Sequence, residues 1–338
     1  TRHGAEVGVA DLHRDRAGGK LVALEALGDL FGHAGDLVVD GLEAREIPAD
    51  VGFGSRAERR HRLVTSLHDR ASMAEAPVRS FLAEQGASRV VSLWAIGGLA
   101  ATLPAAAVPD LAVQPGVRSV RLDGTIALPA TSHAVAKAAG WNLEMVGAPE
   151  LWARGITGEG VVVAILDSGV DALHQDLAPR WRSGAGGWFD PYGQHVEPHD
   201  ADGHGTQVAG LLVGGDASGT AIGVAPGAQW IAARAFDDAG QGTFSAIHLA
   251  FQWLLDPDGA PSTDDMPDVV DASWGFPEQA GQCIDEFAAD IAVLRAAGIA
   301  AVLPAGNLGP GAGTSISPAN NPGAFAVGGA DAAAAVMA

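Results

Sequence analysis

The fold is decided by nine residues, Val161-Val162-Val163-Ala164-Ile165-Leu166-Asp167-Ser168-Gly169. Six consecutive apolar residues, most of them β-branched, predict a strand that is buried on both faces. Asp167 stands at the carboxyl end of this strand, and Gly169 permits a sharp turn behind it. Ligands of open parallel sheets bind at that edge, so Asp167 is a candidate site residue. At this point it could equally be a turn aspartate that caps its own backbone.

Strand-like and helical patterns alternate after this stretch. The sequence predicts strands at Trp230–Phe236, Asp268–Ser273, Ala300–Leu303 and Phe325–Val327, and helices at His204–Val213, Ser245–Leu254 and Ile284–Ala297. Such alternation is typical of βαβ units with helices on both faces of a parallel sheet. We therefore expect an α/β fold with three layers, α/β/α, and a mostly parallel sheet.

The first part of the chain follows another pattern. It predicts strands at Asp36–Asp40, Arg89–Trp94, Leu99–Leu103 and Val117–Leu122, a helical stretch over Ser55–Gln85 and a short helix over Ala106–Leu111. Pro77 is expected to divide or kink the long helix. The order β-α-β-β-α-β predicts a small ferredoxin-like α+β domain. The predicted divisions are an unassigned region at 1–54 that can include the first strand, this domain at 55–128, a linker at 129–145 and the α/β domain at 146–338.

The amino-acid composition argues against two classes of binding partner. The 40 acidic and 20 basic residues give a formal charge of −20, which disfavours nucleic acid and anionic membranes. No apolar run reaches the roughly 18 residues of a membrane-spanning helix. Cys283 is the only cysteine, so no internal disulfide can form. We expect its thiol to be a small buried apolar group.

A histidine begins one of the predicted helices. It lies in Asp202-Gly203-His204-Gly205-Thr206, where the flanking glycines allow close approach by a substrate. The helix N-terminus disfavours an imidazolium, which suits a general base. A metal site is the rival interpretation, because His195, His199 and His204 cluster in sequence with Asp200 and Asp202. Zinc peptidases need two histidines on one helical face with a glutamate after the first, a spacing that this stretch lacks. His195 and His199 are therefore predicted to be solvated loop residues.

Two further motifs bear on the chemistry. Asn307 follows Pro304-Ala305-Gly306 at the end of a predicted strand, where an asparagine either holds a left-handed turn or donates to an oxyanion. Gly158 and Gly160 precede the strand at 161–166, whereas the glycines of a dinucleotide site follow it. A dinucleotide cofactor is thus disfavoured.

The motifs around Asp167, His204 and Asn307 together resemble those of the subtilisin-like serine proteases, the subtilase family. Further stretches are similar to the bacillopeptidase F branch, and residues 55–126 resemble the family's propeptide. The matching stretches are Trp141–Pro149, Ile222–Ala228, Trp230–Ala232, Pro267–Val270 and Ser273–Gly275.

The resemblance implies a role for each matching residue. Asp167 orients His204, His204 is the general base, and Asn307 helps to form the oxyanion hole. Ser273, Trp274 and Gly275 line the primary specificity pocket and pair with an extended substrate, and Gly242 belongs to the opposite wall of the cleft. The chain is then expected to be a serine endopeptidase zymogen that hydrolyses peptide bonds in proteins or peptides through an acyl-enzyme.

Other implications of the resemblance concern inhibition, metals and location. The propeptide is an intramolecular inhibitor, cleaved within 126–140. No cofactor is required for the chemistry, while a structural calcium is consistent with the family and Asp176 is a candidate ligand. The implied location is secreted or in the cell envelope.

The nucleophilic serine is not identified in this chain. Gly313-Thr314-Ser315-Ile316-Ser317-Pro318 imitates the family segment, but Ser315 follows Asn307 by only eight residues and the proline comes one residue early. The segment also precedes Pro322–Gly329, which matches the family strand that itself precedes the nucleophile. We expect Ser315 to be a loop residue and the nucleophile to lie beyond Ala338, the chain being C-terminally incomplete. The alternative is a catalytically dead subtilase-like module that binds or inhibits.

Two positions depart from the family pattern. Gln207 stands where many relatives carry a second histidine, and little effect on the chemistry is expected. Asp271 replaces the common asparagine before Ser273-Trp274-Gly275, which is expected to alter the polarity of the cleft.

Overall fold

The computed structural model describes residues 12–13, 35–40, 54–128 and 140–336. The chain divides into two compact units, one formed by 1–53 and 62–124 and the other by 54–61 and 125–338. Most of the predicted linker at 129–145 lies outside the described residues, and the predicted domain limits stay predictions.

The first unit is an antiparallel sheet with helices. Its elements are β1 (Leu12–His13), β2 (Gly35–Asp40), the part of α1 (Arg56–Glu84) that follows residue 61, β3 (Arg89–Leu93), β4 (Gly98–Leu103), a 3₁₀ turn (Ala105–Ala107), α2 (Val108–Ala112) and β5 (Ser119–Leu122). The strands are ordered β1-β5-β2-β4-β3. From β2 to β5 the element order is the predicted β-α-β-β-α-β, and the pairing of β1 with β5 was not predicted.

The helix α1 differs from its prediction. It runs through Pro77 as one helix of 29 residues, so the predicted division into two helices is wrong, while the alternative of a kink at Pro77 stays a prediction. Leu67 and Ala71 are buried before the proline, and Val78 and Leu82 are buried after it. Because apolar packing holds the helix on both sides, it outweighs the local cost of the proline.

The second unit carries the parallel sheet. Its strands are β6 (Thr125–Ala127), β7 (Val162–Asp167), β8 (Trp188–Phe189), β9 (Gln229–Arg234), β10 (Gln241–Thr243), β11 (Val269–Asp271), β12 (Ala300–Pro304) and β13 (Phe325–Val327). Its helices are α3 (Trp141–Met145), α4 (Ala148–Trp152), α5 (His204–Val213), α6 (Phe244–Trp253) and α7 (Ala288–Ala296), with 3₁₀ turns at Ala178–Arg180 and Pro277–Gln279. Six strands, ordered β13-β12-β11-β7-β9-β8, pair in parallel throughout. The predicted α/β/α fold with a parallel sheet is confirmed.

The central strand β7 fixes the site. Residues 163–167 are buried, and side chains of α5 pack with Val163, Ile165 and Trp230 on one face of the sheet. Its neighbours in the sheet are β11 and β9. The carboxyl ends of β7, β11 and β12 therefore share one edge, where Asp167 and the loops to Ser273 and Asn307 begin.

Cys283 is exposed, so its prediction as a buried apolar group is wrong. The reason is its position in the loop before α7, where Gly281 to Cys283 are all exposed. Among the residues described, no helix combines the length and the apolar character needed to span a bilayer.

Candidate active site

Asp167 and His204 form a hydrogen-bonded pair. The His204 Nδ1 atom lies 2.7 Å from Asp167 Oδ1. The side chain of Asp167 is fully buried, and that of His204 retains 19% exposure. The backbone N–H of Ser168 donates to the same carboxylate oxygen at 2.7 Å. Two donors thus hold a buried carboxylate that would otherwise be costly to ionise.

The local backbone brings these two groups together. His204 is the first residue of α5, and the preceding Gly203 has a φ of 95°. A Cβ atom on Gly205 would lie 2.1 Å from the Gly169 carbonyl oxygen. Gly205 therefore lets the start of the helix lie close to the turn after β7.

Asp200 braces this junction, a role that sequence reasoning missed. Its Oδ1 accepts hydrogen bonds from Ser168 Oγ and the Gly203 N–H, both at 2.8 Å. Its Oδ2 accepts from the N–H and the hydroxyl of Thr206 at 2.8 and 2.6 Å. One carboxylate therefore ties the turn after β7 to the first turn of α5. The available signal was an aspartate shortly before a helix start, where its side chain commonly bonds nearby backbone N–H groups.

The pKa values of the pair are shifted by each other and by burial. Burial raises the pKa of Asp167, and the hydrogen bond and charge of His204 oppose that rise. The hydrogen bond that His204 donates to Asp167 raises the pKa of His204, against the effect of burial. The net shift of the His204 pKa is upward, opposite to the direction expected from the helix N-terminus, and the hydrogen bond to Asp167 is its largest cause.

A cavity of ≈ 350 Å³ adjoins the histidine. Five of the predicted site residues line it together: His204, Ser273, Trp274, Gly275 and Asn307. Gln207 lines it as well. Ile316 also lines the cavity, and it lies so close to Gly275 that a Cβ atom there would lie 2.6 Å from the Ile316 Cδ1 atom. The loops after β11 and β12 thus form one depression beside His204.

Trp274 lines the cavity, but its indole is held in the core. Its indole Nε1 donates to the Leu166 carbonyl oxygen at 2.9 Å. The ring packs edge-to-face against Phe287 and Phe236, and the residue is 1% exposed. The indole therefore anchors the segment to β7 rather than offering a side chain to a ligand.

Gly242 lies apart from the cavity lining, in β10. This strand pairs antiparallel with β6, with Gly242 opposite Ile126. The pairing continues at the N–H of Leu128, which donates to the Gly240 carbonyl oxygen at 2.9 Å. A Cβ atom on Gly242 would lie 2.5 Å from the Ala235 carbonyl oxygen, so only glycine fits there.

Asp271 ends β11 next to the pair. Its Oδ2 accepts a hydrogen bond from Ser273 Oγ at 2.8 Å. Burial raises the pKa of Asp271 to about 6, the Ser273 bond opposes this, and the negative charge of Asp167 adds to it. The aspartate that stands in place of the family's common asparagine therefore adds a further carboxyl group beside the site.

Ser315 is not brought to the histidine. Its carbonyl oxygen accepts the Gly281 N–H at 2.9 Å, and it is not part of the cavity wall. His204 Nε2 makes no hydrogen bond to any residue that the structure describes.

The other histidines of the region take different partners. His195 Nε2 lies 3.0 Å from both carboxylate oxygens of Asp238, and its ring stacks on that of His199 with centroids 3.9 Å apart. The sequence grouped these two with His204, whereas the structure pairs His204 with Asp167. The prediction of simple solvated loop residues missed Asp238, which lies 43 residues from His195 in the chain.

Asp176, the candidate calcium ligand, is buried. Its Oδ1 accepts the Ser218 N–H at 2.9 Å, and its Oδ2 has no hydrogen-bond partner among the described residues. Burial acts to raise the pKa of Asp176, but the hydrogen bonds from Ser218 outweigh it and the pKa is lowered. One orphaned buried oxygen fits a ligand of calcium, which takes six to eight.

A buried carboxylate that orients a histidine beside an open cleft is the arrangement of acyl-transfer hydrolases. Residues 158–338 match the family model described as the subtilase family. This chain therefore belongs to the subtilase family.

Curated relatives agree with the family. Bacillopeptidase F of Bacillus subtilis is 39% identical over 210 residues, 56% of this chain and 14% of that protein. Subtilisin E of the same species is 31% identical over 261 residues, 76% of this chain and 62% of that protein. The major intracellular serine protease of B. subtilis is 29% identical over 171 residues, half of each chain. The chain thus spans less than two thirds of the length of each of these relatives.

Proposed function

We propose that this chain is part of a serine endopeptidase that is made as a zymogen and hydrolyses peptide bonds through an acyl-enzyme. The observation that carries the proposal is the 2.7 Å bond between His204 Nδ1 and Asp167 Oδ1, beside the cavity of ≈ 350 Å³ that His204 lines. It fixes the tautomer with the proton on Nδ1 and leaves Nε2 to act as the base.

The mechanism follows from these positions. His204 Nε2 takes the proton of a serine hydroxyl as its oxygen attacks the scissile carbonyl carbon. Asp167 stabilises the imidazolium that forms, and the side-chain amide of Asn307 donates to the oxyanion. The imidazolium then gives its proton to the leaving amine. Water, activated by His204, hydrolyses the ester and regenerates the serine.

We assign the nucleophile to a serine that follows Ala338 in the complete protein. The environment of Ser315 supports this assignment, because its carbonyl oxygen accepts the Gly281 N–H, the next N–H, that of Ile316, donates to Ala305, and Ser315 does not line the cavity. The substrate would extend along the main chain of Ser273, Trp274 and Gly275, forming hydrogen bonds of the β-addition type.

The pairing of β6 with β10 supports self-inhibition. An extended segment, Thr125–Ala127, lies antiparallel to Gln241–Thr243, and Ile126 is 6% exposed. A substrate strand would use the same edge, so β6 has to leave before a substrate can bind there. We propose that the ferredoxin-like unit and β6 form the inhibitory propeptide, with cleavage within 126–140.

Calcium and location complete the proposal. Asp176 would hold a structural calcium through Oδ2, and the ion would stabilise its loop without a part in the chemistry. We propose a secreted or cell-envelope location by analogy with the family.

The test uses the complete protein and a fluorophosphonate probe. Labelling of one serine beyond residue 338, together with hydrolysis of a peptide substrate, is the expected result, and His204→Ala should abolish both. Intact-mass analysis should place the processing site within 126–140. Peptide binding without labelling or hydrolysis would instead identify a catalytically dead binding module, and labelling of Ser315 would overturn the assignment of the nucleophile.

A further inference from the structure

A cluster of two histidines and one aspartate lies outside the proposed catalytic pair. His195, His199 and Asp238 each present a ligand-type atom within 4.8 Å of the others. His195 Nε2 is equidistant from both Asp238 oxygens, at 3.0 Å, and the imidazole rings stack at 3.9 Å. Two imidazoles and a carboxylate thus converge from segments far apart in the chain.

The backbone of the loop that carries His195 is fixed before any ion binds. The Asp190 carboxylate accepts the N–H groups of His195 and Gln194 at 2.8 and 2.9 Å. The Trp188 indole donates to the His195 carbonyl oxygen at 3.1 Å. An ion would therefore meet His195 already in place, which lowers the entropy lost on binding.

Asp238 is oriented by a buried cation. The fully buried Arg234 donates from Nη2 to Asp238 Oδ1 at 2.7 Å. Gln194 Oε1 accepts the Asp238 N–H at 3.1 Å and an Arg234 N–H at 3.0 Å. The hydrogen bond from Arg234 to Oδ1 sets the direction of the Asp238 carboxylate, and Oδ2 has the additional capacity to bind an ion.

We propose that His195, His199 and Asp238 bind a divalent transition-metal ion of the zinc class. Imidazole nitrogens with one carboxylate suit zinc, cobalt or nickel, whereas calcium and magnesium take oxygen ligands. Three protein ligands and one water would complete a four-coordinate site. The site is separate from His204, whose Nδ1 is already bonded to Asp167.

The ion would connect two segments that border the active site. One ligand, His199, directly precedes Asp200, the brace between the turn after β7 and α5. Another, Asp238, lies in the turn before β10, closed by the bond from the Gly240 N–H to the Asp237 carbonyl oxygen at 2.9 Å. Metal binding should therefore stabilise the fold around the cleft, and this inference does not depend on the proposed peptidase activity.

The direct test is titration of the chelator-treated chain with Co²⁺ and Zn²⁺. Calorimetry should give one zinc ion per chain, and Co²⁺ should produce visible absorption typical of four-coordinate nitrogen and oxygen ligands. His195→Gln and His199→Gln should each weaken binding at least tenfold, since loss of an outer-shell partner alone costs about 10–100-fold. His61→Gln, which alters an exposed histidine bonded to the Pro261 carbonyl oxygen, is the matched control and should bind as wild type.

Competition with Ca²⁺ and ring NMR distinguish this site from other places where a metal ion could bind. Excess Ca²⁺ should not displace Co²⁺, whereas an ion held by the carboxylate cluster Asp256, Asp258 and Asp265 should be displaced. In the wild type, zinc should shift the ring NMR signals of His195 and His199 but not of His61. Wild-type affinity in either histidine variant, displacement by Ca²⁺, unmoved ring signals or the absence of stoichiometric binding would each overturn the proposal.

Discussion

The Nδ1 atom of His204 lies 2.7 Å from Oδ1 of Asp167, at the point where the helix α5 begins against the end of the strand β7. The carboxylate is fully buried, so the imidazolium form of His204 is its main source of charge compensation. Both the orientation and the basicity of the ring depend on this contact.

Asp167→Asn should remove that basicity while keeping the shape. We expect the pKa of His204 to fall, because its hydrogen bond to Asp167 is the largest cause of its upward shift. In the complete enzyme, kcat should fall by about 10⁴-fold through stabilisation of the wrong tautomer. NMR titration of the His204 ring measures the first effect and peptide hydrolysis the second. Asp202→Asn, at an exposed carboxylate near the ring, is the control, and a larger pKa change there than in Asp167→Asn would contradict the prediction.

Asp200→Ala should disturb the position of His204 without touching it. Four hydrogen bonds from Ser168, Gly203 and Thr206 would lose their acceptor. The free energy of unfolding should fall by about 1–3 kcal/mol, the cost of leaving such donors unsatisfied. In the complete enzyme kcat should fall more than KM changes, because the cleft walls at Ser273 and Asn307 remain. Urea unfolding and steady-state kinetics check these outcomes, with Asp216→Ala as a surface control, and unchanged stability would argue against a bracing role.

The parts of the molecule that sequence predicted are those with a local signal. The helix His204–Val213 and the strand Phe325–Val327 have the predicted bounds, and the apolar run before Asp167 forms the central strand. The pairing of the three-residue strands β6 and β10 was missed, because so short a segment shows no periodicity. Asp238 was missed as a partner of His195 because sequence separation hides a contact made by tertiary folding. The division of the helix at Pro77 was wrong because packing on both sides of the residue outweighs its local preference.

Asp271→Asn should test the effect of the Asp271 carboxyl group on His204. Burial raises the pKa of Asp271 to about 6, so at pH 7 the group is mainly ionised and its charge favours the His204 imidazolium. The variant should therefore lower the pKa of His204, and the acidic limb of the kcat/KM profile of the complete enzyme should move to lower pH. Ser273→Ala keeps the carboxyl group but removes its 2.8 Å hydrogen bond, and it should raise the pKa of Asp271 further. An unchanged His204 titration in Asp271→Asn would show that the two groups do not interact.

The buried network of His248 gives a prediction about stability. Its Nδ1 lies 2.8 Å from Asp290 Oδ2 and its Nε2 lies 3.0 Å from Glu286 Oε1, so both ring nitrogens face carboxylate oxygens. Burial acts to lower the pKa of His248, but the charges and hydrogen bonds of Asp290 and Glu286 outweigh it and raise the pKa to about 10. We therefore expect His248 to be an imidazolium at pH 8, where a free imidazole is mostly neutral.

The positive charge of His248 determines how the stability depends on pH and what replacing the residue should do. Because the pKa is higher in the folded protein, the stabilisation is fully present below about pH 6.5 and is lost as pH rises through about 10. At pH 7, His248→Gln should lower the free energy of unfolding by about 3–5 kcal/mol, since it leaves Asp290 and Glu286 buried without a cation. His61→Gln, at an exposed histidine, is the control and should have little effect. Ring ¹⁵N chemical shifts measure the protonation state of His248, and denaturant unfolding measures the stability. A neutral His248 ring at pH 8 would contradict the assignment of the charge to the imidazole.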